Sequence, residues 1–255
     1  MLIDSHCHLD AKQFDDDRPM VIRRAREAGV GCFLTIGCDV ENSRRALGLA
    51  ATHADIFATV GVHPHEAAKA ADNFIDDLRE LAAHPRAKAI GECGLDYYYD
   101  FSPRERQQEV FAAQVDLAKE LGLPLVIHVR DAWEDCLEIL TDKNPQHGVI
   151  HCFTGTLENA QASLDLGFHI SIPGIVTFKK AGDIPEVVNL VPEDKLLIET
   201  DSPYLAPSPH RGKRNEPAFV NFVADKVAEL TGRPREQVVQ QTGENARRLF
   251  DLNIT

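Results

Sequence analysis

The sequence predicts an α/β chain folded as a (β/α)₈ TIM barrel with extra C-terminal helices. Three observations predict it: eight short apolar runs of strand character, helical periodicity between them, and a length of 255 residues that fits eight such units. The runs fall at 2–5, 32–36, 56–62, 87–91, 125–129, 148–152, 168–172 and 196–200. Helical periodicity covers 19–28, 42–53, 74–83, 104–121, 131–140 and 157–166. Alternating strands and helices imply parallel pairing through right-handed crossovers, and near-continuous apolar strands imply burial on both faces. A doubly wound open sheet would begin with a glycine-rich turn, which LIDSHCHLD lacks.

Taken in order, the first run leads directly into His6-Cys7-His8, and the helix over 19–28 stops at Gly29. Ser102-Pro103-Arg104-Glu105 has the pattern of a capping box with proline at the first helical position, and Gly122 closes that longest helix. Gly167 ends the helix over 157–166. The stretch 216–252 reads as two or three further helices, including the last barrel helix and a covering segment.

With 255 residues and 44% apolar content, the chain can bury one large core, and a single domain spanning 1–255 is expected. No run is long and uncharged enough to cross a membrane, and MLIDSHCHLD has neither the basic nor the apolar region of a secretory signal. Six cysteines lie scattered without a C-x-x-C pair, so a reducing cytoplasm is the expected location. The net charge of −13 argues against broad capture of nucleic acid. A polyanionic substrate would have to be held locally, by metal ions or a confined basic patch.

His6 and His8 are two apart at the end of the first strand, so their side chains share a face and can form a nitrogen claw. Taken alone, two polar residues at a strand end could equally make ordinary hydrogen bonds. Further along, Glu92 ends run four, His128 run five, His151 run six and Asp201 run eight, while His63 follows run three. In a barrel these ends converge on one rim. Imidazole and carboxylate suit Zn²⁺, Mn²⁺ or Ni²⁺, and the carboxylates also accept Mg²⁺. His6, His8, Glu92, His128, His151 and Asp201 outnumber the roughly three ligands of one open catalytic zinc, so two divalent ions are expected. Glu92, between the His6/His8 side and the His128/His151 side, is the natural bridge. Asp201 would bind metal and serve as general base toward the attacking water. Cys7, Cys93 and Cys152 each follow a proposed ligand and are expected to pack as small apolar groups. Glu199 shares parity with Asp201 one layer deeper, as a structural partner.

These segments resemble the TatD family of metal-dependent deoxyribonucleases, within the amidohydrolase-like barrels. The likeness spans nearly the whole chain through DSHCHLD at 4–10, GVHPH at 61–65, GECGLDYYYD at 91–100, HVRDA at 128–132, HCFTG at 151–155, SIPGIVTF at 171–178, ETDSPYLAP at 199–207, HRGKRNEP at 210–217 and NARRLF at 245–250. The resemblance implies one ion among His6, His8, Glu92 and Asp201, a second among Glu92, His128 and His151, and hydrolysis of DNA phosphodiesters, often from a 3′ end. Cys93 departs from the Thr or Ile common at that place. The run-four end offers Glu92 and no lysine for carbamylation, unlike many phosphotriesterase- and dihydroorotase-like barrels.

The loops after strands seven and eight often bind phosphate in this fold, which nominates Arg211, Lys213 and Arg214, and Arg130 follows His128 closely. His63 and His65 could touch phosphate or stand behind the ligands. Tyr97, Tyr98 and Tyr99 could stack on a terminal base, with packing expected for at least two of them. Single-stranded or frayed DNA is the expected substrate, with no obligate protein partner. The alternative is a small-molecule ester, lactone or amide hydrolase using the same metals without the basic loop.

Overall fold

The computed structural model describes residues 1–253. Eight parallel strands, β1 Leu2–Cys7, β2 Val30–Thr35, β3 Ile56–Val60, β4 Ala87–Asp96, β5 Leu125–Arg130, β6 Gly148–Ile150, β7 His169–Ile172 and β8 Leu196–Ile198, pair in sequence order. The ring closes where Cys7 bridges Ser202 and the Asp201 amide donates to the His6 carbonyl at 2.9 Å. Helices α1 Arg18–Glu27, α2 Val40–Ala51, α3 Phe74–Ala82, α4 Arg104–Leu121, α5 Trp133–Lys143, α6 Leu157–Asp165, α7 Ile184–Leu190 and α8 Val220–Thr231 surround it, and α9 Arg235–Leu249 follows. The architecture is the predicted TIM barrel. Among the described residues no helix is long and apolar enough to cross a membrane.

Period-two alternation sorts the strands into layers. Ile3, Cys32, Leu34, Phe57, Ala89, Val126, Val149 and Leu197 form an apolar cluster with Leu249 and Phe250 from the end of α9, which floors the barrel. One step up the same faces come His128 above Val126, His151 above Val149, and Glu199 then Asp201 above Leu197. A second, larger cluster fills the space between barrel and helices.

Three local expectations need correction. Strand β4 runs to Asp96 rather than ending at 91, because Gly91 and Gly94 adopt φ of 143° and 131° and let the chain pass where a Cβ would strike the Val126 and His128 carbonyl oxygens. Ser102 does not cap α4, whose N-cap is Pro103 without a side-chain bond. Its hydroxyl instead donates to the His65 carbonyl and accepts from the Ala68 amide, both at 3.0 Å, pinning the loop after β3. The helix expected from 131 begins at Trp133, since Asp131 is held at φ 52° outside the helical region. Gly122 does end α4 in the left-handed conformation, at φ 66°.

Candidate metal centre

His6 and His8 sit at and just past the end of β1, His128 within β5, His151 and Asp201 just beyond β6 and β8, and His63 past β3. The extension of β4 brings Glu92 to the middle of this ring. Its two oxygens face different neighbours. Oε2 lies 3.5 Å from His6 Nε2 and 3.9 Å from His8 Nε2. Oε1 lies 2.8 Å from His151 Nε2, 3.2 Å from His128 Nδ1 and 3.3 Å from His63 Nε2. Asp201 Oδ1 joins the first side, 3.3 Å from His8 Nε2 and 3.7 Å from His6 Nε2.

Three of the histidines direct one nitrogen inward and engage the other with a fixed partner, the arrangement that sets a ligand's tautomer. His128 Nε2 meets Asp96 Oδ2 at 3.0 Å, His151 Nδ1 meets Glu199 Oε1 at 3.3 Å, and His8 Nδ1 meets Cys38 Sγ at 3.7 Å. His6 differs: both ring nitrogens are buried without a hydrogen-bond partner, while its ring stacks on His151 at 3.8 Å. A buried imidazole left unpaired is costly unless a cation completes it, and the surrounding nitrogen and carboxylate donors suit a divalent metal. His63 also differs. Its Nδ1 accepts the His65 amide at 3.1 Å, so the neutral ring carries its proton on Nε2 and points a donor at Glu92. Burial lowers His63 to about 4, which keeps it neutral.

Carboxylates and imidazoles of the cluster shift one another's protonation. Burial opposes ionisation of Glu92, yet the charge of His151 and hydrogen bonds from His128 and His151 hold its carboxyl well below the usual range. Burial likewise opposes charging of His151, but the Glu92 charge and the Glu199 hydrogen bond push it up to about 10. A cation held here would displace protons. Asp201 and Cys152 hold φ of 56° and 44°, a left-handed backbone uncommon outside glycine that concentrates at functional sites.

Asp96 and Cys38 are site residues the sequence reading missed. Asp96 shares parity with Glu92 and Gly94 on β4, a signal hidden by ending the strand early. Cys38 follows run two in the place the ligands occupy after their own runs. Cys7 and Cys93 are packed in the core as expected, whereas Cys152 is partly exposed and its amide donates to Glu199 Oε1 at 2.7 Å.

Around the mouth, the nominated cations separate. Arg214 is engaged within the chain: its fork holds both oxygens of Asp17 at 2.8 and 2.7 Å and also the Gln13 carbonyl at 2.7 Å. Arg211 and Lys213 form no ion pair among the described residues, and Arg211 lies over the Phe178 ring at 4.1 Å. Arg130 packs under Tyr98 and Tyr99 at 4.0 and 4.8 Å. Of the three tyrosines only Tyr97 is packed, with its hydroxyl donating to Asp135.

A family model described as TatD related DNase matches residues 3–251. The uncharacterized metal-dependent hydrolase YabD of Bacillus subtilis (strain 168) is 44% identical over 255 residues, spanning 99% of this chain and 100% of the relative. The 3′-5′ ssDNA/RNA exonuclease TatD of Erwinia tasmaniensis is 42% identical over 259 residues, spanning 98% and 100% respectively. Among solved structures, the TatD homologue YJJV from Escherichia coli K12 superposes with a TM-score of 0.93 at 31% identity, covering 98% of both chains.

Proposed function

Because the chain belongs to the TatD related DNase family of metal-dependent hydrolases, we propose that it is a 3′–5′ exodeoxyribonuclease acting on single-stranded or frayed DNA through a two-metal site. The observation that carries this reading is the division of Glu92, whose Oε2 faces His6 and His8 while Oε1 faces His128 and His151. In this proposal His6, His8, Glu92 and Asp201 would hold one divalent ion, and Glu92, His128 and His151 would hold the other.

Two such ions, when bound, make water more acidic and neutralise charge on the phosphoryl group. The remaining work belongs to side chains. Asp201 accepts the proton of the attacking water on a carboxylate oxygen. Glu92 keeps the two halves of the site in register, so attack and departure occur on one phosphorus. With substrate bound, His63 turns its single Nε2 proton from Glu92 to a non-bridging phosphate oxygen. Asp96 and Glu199 orient His128 and His151, and buried walls restrict water at the reacting centre. Arg130, Arg211 and Lys213 contact phosphates beyond the scissile one, compensating locally for an acidic chain.

Digestion of 5′-labelled single-stranded DNA with Mg²⁺, Mn²⁺ or Zn²⁺, beside Glu92→Ala, tests this. A metal-dependent ladder shortening from the 3′ end, absent in the variant, is the expected result. An intact strand under every metal would refute it and favour a small-molecule hydrolase on the same barrel.

A further inference from the structure

Exposed aromatic surface is concentrated beside the metal centre. Tyr98, Tyr99 and Phe101 are 58%, 47% and 66% exposed, within four consecutive residues of the loop that follows β4. Isolated exposed apolar residues need no explanation, but a contiguous set on the catalytic rim does. The Tyr99 and Phe101 rings stack at 5.2 Å with an interplanar angle of 23°, and Tyr98 stands edge-on to Tyr99 at 5.0 Å. Arg130 lies over both tyrosine rings, so a cation accompanies the aromatic faces.

This group is tied to the site itself. The amides of Tyr98 and Tyr99 donate to Asp96 Oδ1 at 3.1 and 2.9 Å. The other oxygen of the same fully buried carboxylate binds His65 at 2.9 Å and His128 at 3.0 Å. His65 in turn packs edge-on against Tyr99 and Phe101 at 5.4 and 4.8 Å. One carboxylate therefore sets both the orientation of a proposed metal ligand and the position of the exposed rings.

Resting on the nuclease reading above, we infer that Tyr98, Tyr99 and Phe101 form a stacking platform for an unpaired base of the strand whose scissile phosphate lies at the metal centre, with Arg130 on the adjoining phosphate. Every base has a π-face, so the platform accepts any sequence, whereas bases inside a duplex have both faces covered by their neighbours and must unstack to reach it. The platform selects single strands without reading them.

The test is fluorescence anisotropy with 5′-labelled strands whose 3′-terminal linkages are phosphorothioates, in Mg²⁺. One strand is natural and one carries abasic sites at its 3′ end, and each is titrated with wild type and with Tyr98→Ala/Phe101→Ala. Both positions are exposed, so melting temperature should not change. Wild type should bind the natural strand about 5- to 150-fold more tightly than the abasic one, the range for one stacked base. The double variant, which keeps Tyr99, should bind the natural strand more weakly, toward the wild type's abasic affinity, and leave abasic binding unchanged. Equal binding of the two strands by wild type, or equal weakening of both in the variant, would overturn the platform. Those outcomes leave the nuclease reading to the ladder assay. Base-dependent binding without any ladder would retain the platform and refute hydrolysis.

Discussion

Replacing Glu199 measures how far metal affinity depends on a side chain that stands behind a proposed ligand. Its buried Oε1 accepts the Cys152 amide at 2.7 Å and lies 3.3 Å from His151 Nδ1. Glu199→Gln keeps an acceptor there and removes the charge. Hydrogen bonds to charged groups contribute about 1.5–3 kcal/mol and neutral ones about 0.5–1.5 kcal/mol, so the His151 contact weakens by roughly 1 kcal/mol, about fivefold in metal affinity. Glu199→Ala also removes the acceptor, takes away the partner of the Cys152 N–H, and frees the imidazole to turn. The expected loss is then about 10- to 100-fold. Competition of Zn²⁺ or Mn²⁺ against a chromophoric chelator at neutral pH reads these affinities, and melting separates the folding cost. Wild-type affinity in Glu199→Ala would refute the idea that this carboxylate orients the ligand.

Other predictions concern stability and substrate capture. Burial, aided by the charge of Lys195, lowers His169 to about 4 from 6.5. The folded state keeps it neutral while the unfolded state protonates below 6.5, so this contribution is complete above that pH and falls by about 3 kcal/mol as pH drops toward 4. Urea denaturation with chelator present should show a shallower acid loss in His169→Phe than in wild type, and parallel profiles would contradict the assignment. Arg214→Ala should cost about 1 kcal/mol of stability through loss of its Asp17 pair and leave oligonucleotide turnover near wild type. Arg211→Ala with Lys213→Ala should do the reverse, raising KM and reducing the salt slope of binding by about one per lost phosphate contact. Indistinguishable profiles for the two would dismiss that separation of roles.

Much of the barrel is legible in the chain because strand runs and helical periodicity are local signals. His6, His8, His128, His151 and Asp201 stand out for the same reason: each follows an apolar run, and the fold alone converts that position into a shared rim. Glu92 is equally visible, although β4 continues past it. What escapes is decided by distant partners. The pairing of Arg214 with Gln13 and Asp17, about two hundred positions away, leaves no local signal. Ser102 has a capping pattern, but the loop holding His65 takes its hydroxyl. The tautomer of His63 depends on one backbone amide, and Asp96 is concealed by a strand that two glycines carry through a close approach.

Glu92 is proposed to join two ion sites through its two oxygens. Equilibrium dialysis against Zn²⁺ or Mn²⁺, followed by elemental analysis of wild type and Glu92→Ala, tests it most directly. Wild type should hold about two ions per chain and the variant clearly fewer, together with loss of most hydrolysis. Unchanged metal content and an unchanged rate in Glu92→Ala would contradict it.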